Sequence, residues 1–94
     1  MGRTQLARIR RDVLLGDVWK RRELAYRDRI LVTLSVLAAT GKLDELKIWI
    51  GRAVDNGITR DEIRGLVMQV TMYAGWPAGL CDGKAALELL EDEK

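Results

Sequence analysis

The strongest constraint on the fold lies over residues 43–74, where apolar residues recur at helical spacing on both sides of one short break. Asn56 and Gly57 form that break and are typical of a helix end. Thr59 and Glu62 follow with the spacing of a capping box, in which each side chain accepts a hydrogen bond from the other residue's amide. The sequence therefore predicts a helical hairpin over residues 43–74.

The other apolar segments have the same helical periodicity. We expect a first helix over residues 3–15 that ends at Gly16, and a central helix over residues 26–40 that ends at Gly41. The central helix is apolar on nearly all sides, so it should be buried among the others. A last helix is expected to begin at Pro77. Leu80, Leu87 and Leu90 should face inward on it. No segment alternates as a strand would, and the prediction is an all-α fold of about five helices.

Length and composition limit the broad class of protein. The chain has 94 residues, which suits one domain spanning 1–94. No apolar run is long enough to span a membrane and no signal-peptide pattern opens the chain, so we expect a cytoplasmic protein. The net charge is only +2, and the basic segment over residues 1–30 lacks the interleaved aromatic residues of a nucleic-acid groove. We therefore expect neither a membrane nor a nucleic acid as partner.

Histidine is absent and Cys81 is the single cysteine, which removes several kinds of chemistry. An internal disulfide, a CxxC redox pair and any Ser-His or Cys-His nucleophile are excluded. A zinc site would have one cysteine and carboxylates only, so it is discarded. We expect no metal and no cofactor.

The helix over residues 43–55 has more apolar surface than packing on one neighbour requires. Ile48 and Trp49 lie beside the main apolar stripe, which includes Leu46 and Ile50, and widen that face. This extra surface should contact either another subunit or a ligand.

The aromatic residues are three tryptophans and two tyrosines, with no phenylalanine. Trp49, Tyr73 and Trp76 lie on or just past the two arms of the hairpin and could converge at its open end. As structural residues they would fill a core or an interface. As functional residues they would wall a flat pocket and offer polar groups to a ligand oxygen.

Three arginines, Arg22, Arg27 and Arg29, cluster at the start of the central helix. Cations at a helix N-terminus oppose the helix dipole. A bound carboxylate, or pairing across a subunit boundary, would compensate for that repulsion. The alternative is a solvated helix start.

Several of these segments occur in the order found in one known family. They are Gly16-Asp-Val-Trp19, Arg29-Ile-Leu-Val-Thr-Leu, Asp44-Glu-Leu-Lys, Asn56-Gly-Ile-Thr-Arg-Asp-Glu-Ile63, and Gln69 followed by Tyr73-Ala-Gly-Trp-Pro77. Over roughly residues 13–90 the sequence resembles the carboxymuconolactone decarboxylase family. The resemblance implies an alkylhydroperoxidase D-like helical fold and homo-oligomers, commonly trimers or hexamers. It also implies decarboxylation of a γ-lactone carboxylic acid in aromatic catabolism.

The sequence departs from the family pattern at defined positions. The family histidine falls on Trp49, and the redox cysteines of the alkylhydroperoxidase D branch fall on Lys42 and Glu45. Thiol peroxidase chemistry through that motif is therefore not expected. Trp49 would face the pocket of the family, where its indole N–H donates a hydrogen bond but cannot act as a base.

Two interpretations of function stay open. The first is a cofactor-free, decarboxylase-like lyase acting on a small lactone or cyclic carboxylic acid. Glu45, if buried and protonated, would supply the proton. The residues predicted to bind the substrate are Trp49, Tyr73, Trp76, Arg22 and Arg29. The alternative is a non-catalytic or engineered oligomeric scaffold, or a small-molecule-binding relative.

The first testable prediction is that the protein is a homo-oligomer. The central helix and the wide face around Ile48 and Trp49 carry more apolar surface than a single small domain should cover. Light scattering after size exclusion should give several times the monomer mass at micromolar concentration. A monomer under those conditions would contradict the prediction.

Overall fold

The computed structural model describes residues 2–77 of the chain, with side chains from residue 4 onward. In this range four α-helices follow one another, α1 (Gly2–Ile9), α2 (Tyr26–Ala39), α3 (Leu43–Asp55) and α4 (Arg60–Ala74). Because no strand occurs among the described residues, the predicted all-α class is confirmed. No helix in this range is long and apolar enough to cross a membrane. Cys81 and the inward-facing residues predicted for the last helix, Leu80, Leu87 and Leu90, lie outside the described residues.

The first helical segment differs from a single α-helix. α1 continues into a π-helical stretch over Arg10–Leu15, which ends at Gly16 as predicted. A Cβ atom at Gly16 would lie 2.7 Å from the carbonyl oxygen of Asp12, so the chain closes here more tightly than any other residue allows. A short 3₁₀ turn over Val18–Lys20 then leads toward α2. Apolar spacing does not distinguish a π-helix from an α-helix over so few residues.

The core lies where α2 packs against both arms of the hairpin. Its buried apolar residues are Ile30, Leu34, Ala38, Leu46, Ile50, Ala53, Ile58, Ile63 and Val70. Ile58 stands in the turn between α3 and α4, yet only 2% of its surface is exposed. An apolar side chain of the loop therefore closes the core at the turn of the hairpin.

α2 is central, but it is not buried on nearly all sides as predicted. Ile30, Leu34 and Ala38 form its buried face, whereas Val32 and Val36 are 53% and 54% exposed. The physical reason is that α3 and α4 pack against one side of α2. One apolar stripe of the helix is left open in the single chain.

The hairpin turn forms as predicted. The amide of Glu62 donates to Thr59 Oγ1 at 3.1 Å, and the amide of Thr59 donates to Glu62 Oε1 at 2.9 Å, which completes the capping box. Gly57 has a φ of 91°, a left-handed conformation that favours glycine. Arg27 of α2 pairs with the other oxygen of Glu62, so the same carboxylate also ties α2 to α4.

Replacing Thr59 by alanine should lower the free energy of unfolding by about 1 kcal/mol, because the amide of Glu62 loses its capping partner. Urea unfolding followed by circular dichroism would measure the loss. Thr4→Ala makes the same chemical change at an exposed site on α1 and should alter stability by less than about 0.5 kcal/mol. Equal midpoints for the two variants would contradict the assigned role of the cap.

Candidate active site

One cavity, of about 360 Å³, lies between α3 and the π-helical stretch. Its lining residues are Arg10, Leu14 and Leu15 on the π-helical stretch and Glu45, Ile48, Trp49 and Arg52 on α3. The four α3 residues follow the i, i+3, i+4, i+7 spacing of a single helix face. The extra face of α3 noted in the sequence is therefore the inner wall of this space, which we call the α3 cavity.

The α3 cavity combines an apolar wall with charged groups. Arg10 and Arg52 supply two guanidinium groups, and Glu45 supplies one carboxylate. This excess of positive charge favours an anionic ligand, and the apolar residues around it favour a ligand with a hydrophobic body. Among residues 2–77 no three histidine, cysteine or carboxylate side chains gather as a set of metal ligands.

Glu45 is exposed, in contrast to the buried carboxyl that the proton-donor hypothesis assumed. It occupies the first turn of α3, where a carboxylate is favoured by the helix dipole. The carboxyl therefore reaches both the cavity and solvent in the single chain.

The ring of Trp49 contacts two partners. Its ring lies 5.0 Å from that of Trp19, with an angle of 7° between the planes, and the guanidinium carbon of Arg52 lies 4.6 Å from its centroid. Trp19 in turn contacts Tyr26 at 5.4 Å in a tilted arrangement. Sequence reasoning left Trp19 in a connector without a role. The available signal for a role of Trp19 was its position, three residues after Gly16 and shortly before α2.

The arginine cluster before α2 does not line the α3 cavity. Arg27 pairs with Glu62 of α4, and Arg29 donates to the carbonyl oxygen of Arg21 at 3.0 Å. Arg22 is exposed. Carboxylates within the chain, Glu62 and the nearby Asp28, therefore offset the cations at this helix start.

The cations of the cavity instead come from positions that the sequence did not single out. Arg52 is one turn beyond Trp49 on α3, so helical spacing from Glu45 and Trp49 could have indicated it. Arg10 is brought in by packing of the first helical segment, which no local pattern reveals. Its neighbour Arg11 instead donates a hydrogen bond to Asp12 at 2.8 Å, which lowers the pKa of that carboxyl.

Tyr73 and Trp76 lie apart from Trp49 in the single chain. Tyr73 is 84% exposed and lines a groove with Ser35 and Gln69, while Trp76 lines a different groove with the methionines of α4. The three hairpin aromatics thus line three separate spaces. Of the six residues predicted for the site, Glu45 and Trp49 share one cavity.

Comparison with known proteins identifies the family. The model of the carboxymuconolactone decarboxylase family matches residues 4–91. The chain belongs to the carboxymuconolactone decarboxylase family. The resemblance drawn from its sequence segments is thereby confirmed.

Two relatives with similar sequences support the assignment of this chain to the family. It is 39% identical over 77 residues to the 4-carboxymuconolactone decarboxylase of Acinetobacter baylyi, an overlap that covers 82% of this chain and 58% of the relative. It is 35% identical over 63 residues to the nitrosuccinic acid decarboxylase npaB of Metarhizium robertsii, covering 67% of this chain and 44% of the relative. The chain thus spans about half the length of these relatives.

The stacking of Trp19 on Trp49 in this family member should be measurable as a coupling energy. In a double-mutant cycle with Trp19→Ala and Trp49→Ala, we expect the free energies of unfolding to deviate from additivity by about 1 kcal/mol, the usual contribution of an aromatic pair. The matched cycle with Trp76→Ala and Trp49→Ala joins residues of different grooves and should be additive within about 0.5 kcal/mol. Additive behaviour of the first pair would contradict the stacked geometry.

Proposed function

We propose that this family member is a carboxy-lyase that decarboxylates a small lactone or cyclic carboxylic acid in the α3 cavity. The observation that carries the proposal is that Glu45, Arg10 and Arg52 line one cavity together with apolar side chains. The names of both relatives, which are decarboxylases of small acids, support the reaction class. The reaction is proposed to proceed without a cofactor, because an unsaturated lactone can itself accept the electron pair.

The proposed decarboxylation consumes one proton for each carbon dioxide released. The bond between the ring carbon and the carboxylate carbon breaks, carbon dioxide leaves, and the electron pair moves into the unsaturated lactone as an enolate. A proton then adds to carbon and restores a neutral ring. The enzyme therefore has to desolvate a carboxylate, stabilise the enolate oxygen and deliver that proton.

The residues of the cavity fit these three tasks. Leu14, Leu15 and Ile48 supply apolar surface beside the reacting carboxylate. Arg10 and Arg52 offer charged N–H groups to the substrate carboxylate and to the developing enolate.

Glu45 is proposed as the proton donor. The proposal is supported by its position, because Glu45 is the one carboxylate among the lining residues of the cavity. The indole N–H of Trp49 can add a hydrogen bond to an oxygen of the substrate, but Trp49 cannot exchange a proton as a base would.

A second candidate function is a small-acid-binding protein or oligomeric scaffold without catalysis. The contacts of Trp49 favour it, because the indole already packs on Trp19 and Arg52 as an anchor would. In this case the cavity would bind a carboxylic acid and release no carbon dioxide.

Both candidates are proposed to act as a homo-oligomer, a trimer or a hexamer. The open stripe of Val32 and Val36 and the half-exposed Ile48 support self-association, since a small chain gains stability by covering such surface.

The test is release of carbon dioxide from unsaturated γ-lactone carboxylic acids. Glu45→Gln should lower kcat by roughly a hundredfold or more, because general acid catalysis is lost. Arg52→Gln and Arg10→Gln should raise KM and also lower kcat, because each removes a charged contact to the substrate carboxylate and to the developing enolate.

Matched controls share the charge change but lie outside the cavity lining. Asp44→Asn neutralises the neighbouring carboxylate on α3, and Arg11→Gln removes the neighbouring arginine, which pairs with Asp12. Both should keep kcat and KM within roughly twofold of the parent. Binding of such acids without any release of carbon dioxide would reject the lyase and support the second candidate.

A further inference from the structure

Arg52 is the one cation of the α3 cavity whose guanidinium is packed on an aromatic ring. Its guanidinium carbon is 4.6 Å from the centroid of Trp49, within the range of a cation–π contact. Arg10, the other cavity arginine, has no such ring contact among residues 2–77. The two arginines therefore differ in how firmly their charged groups are placed.

The support of Arg52 extends away from the cavity. Trp49 lines the cavity beside Arg52, whereas Trp19, which stacks on Trp49, is not part of the lining. Tyr26, in the first turn of α2, lies against Trp19. We call Tyr26, Trp19, Trp49 and Arg52 the aromatic ladder. It joins α2, the 3₁₀ turn and α3, and it ends in a charged group at the cavity.

We infer that Arg52 is the carboxylate-binding residue of the α3 cavity and that Trp19 and Trp49 are positioning residues that orient its guanidinium plane. The inference rests on the proposed function in taking a carboxylic acid as the ligand. In this inference the ring of Trp49 supports the guanidinium that binds the ligand. Trp19 contributes to the site although it does not line the cavity.

The physical reason lies in the shape of the guanidinium group. An arginine side chain has many rotamers, and ordering it on binding costs entropy that a preformed stack removes beforehand. Stacking on a ring uses the flat face of the guanidinium and leaves the N–H groups at its edge free to donate. Those N–H groups match the two oxygens of a carboxylate in a bidentate pair. A lysine at this position would offer a point charge and no such fork.

The experiment measures the orientation of Arg52 directly. A methylene group held over an indole face has proton resonances shifted upfield by the ring current, so the δ-methylene of Arg52 should be shifted in the parent protein. Arg52→Lys, in which that resonance disappears, assigns it. Trp19→Leu leaves Arg52 and Trp49 in place but removes the support behind the indole, and it should move the Arg52 resonance toward the value of a free arginine.

Ligand binding is measured with benzoate and with its neutral isostere benzamide. We expect Trp19→Leu and Trp49→Leu to weaken benzoate binding roughly two- to fivefold, the effect of losing one partly exposed cation–π support. In Trp19→Leu the binding of benzamide should stay unchanged, because Trp19 does not line the cavity and the amide does not need the charged fork. Trp19→Phe and Trp49→Tyr keep a ring at each position and should retain most of the affinity for benzoate. In turnover of a lactone acid, Trp19→Leu should raise KM by a similar factor.

The control Val70→Ala distinguishes positioning of Arg52 from general stabilisation of the fold. It removes core volume on α4 away from the cavity. This control should lower the melting temperature without moving the Arg52 resonance or the benzoate affinity. An unmoved Arg52 resonance in Trp19→Leu, equal losses for benzoate and benzamide in that variant, or no benzoate binding to the parent would each overturn the inference. A parent that binds benzoate through the shifted Arg52 but releases no carbon dioxide would reject the proposed lyase and leave this inference standing.

Discussion

The cavity side of the protein depends on the packing of α3 against α2 through Leu46, Ile50 and Ala53. These three side chains are almost fully buried, and they fix the rotation of α3 about its own axis. Because side chains project from a helix at fixed angles, fixing the core face also fixes where Glu45 and Arg52 point. The core and the site are thus two faces of one helix. A change in the core that rotated α3 would misplace every α3 residue of the cavity together.

The fold was largely predictable from the sequence because its determinants are local. Helix ends at Gly41 and Gly57 follow from the need for a left-handed residue, and both have positive φ. The start of α4 follows from two side chains, Thr59 and Glu62, that satisfy amides in their own turn. In each case the deciding atoms are within a few residues of one another, so periodicity and capping rules are sufficient.

The site was predictable only in part because it depends on contacts between distant segments. Glu45 and Trp49 were identified on α3, and helical geometry carries them to one face. Arg10 reaches that face because another helical segment packs there. Trp19 contacts Trp49 although the whole of α2 separates them in the sequence. The arginines before α2 were expected to bind a carboxylate, to pair across a subunit boundary or to remain solvated. Arg27 instead pairs with Glu62, a carboxylate of the same chain 35 residues away. No local pattern reveals such a partner.

The π-helical stretch over Arg10–Leu15 has a consequence for how such a cavity can change during evolution. A π-helix closes its hydrogen bonds over one residue more than an α-helix does, so a single inserted or deleted residue can convert one into the other. That change would rotate the segment by roughly a third of a turn relative to α3. Arg10 would then leave the cavity wall while the buried core of the hairpin stayed intact. The outer wall of the cavity can therefore be altered by the length of this segment, independently of the residues on α3.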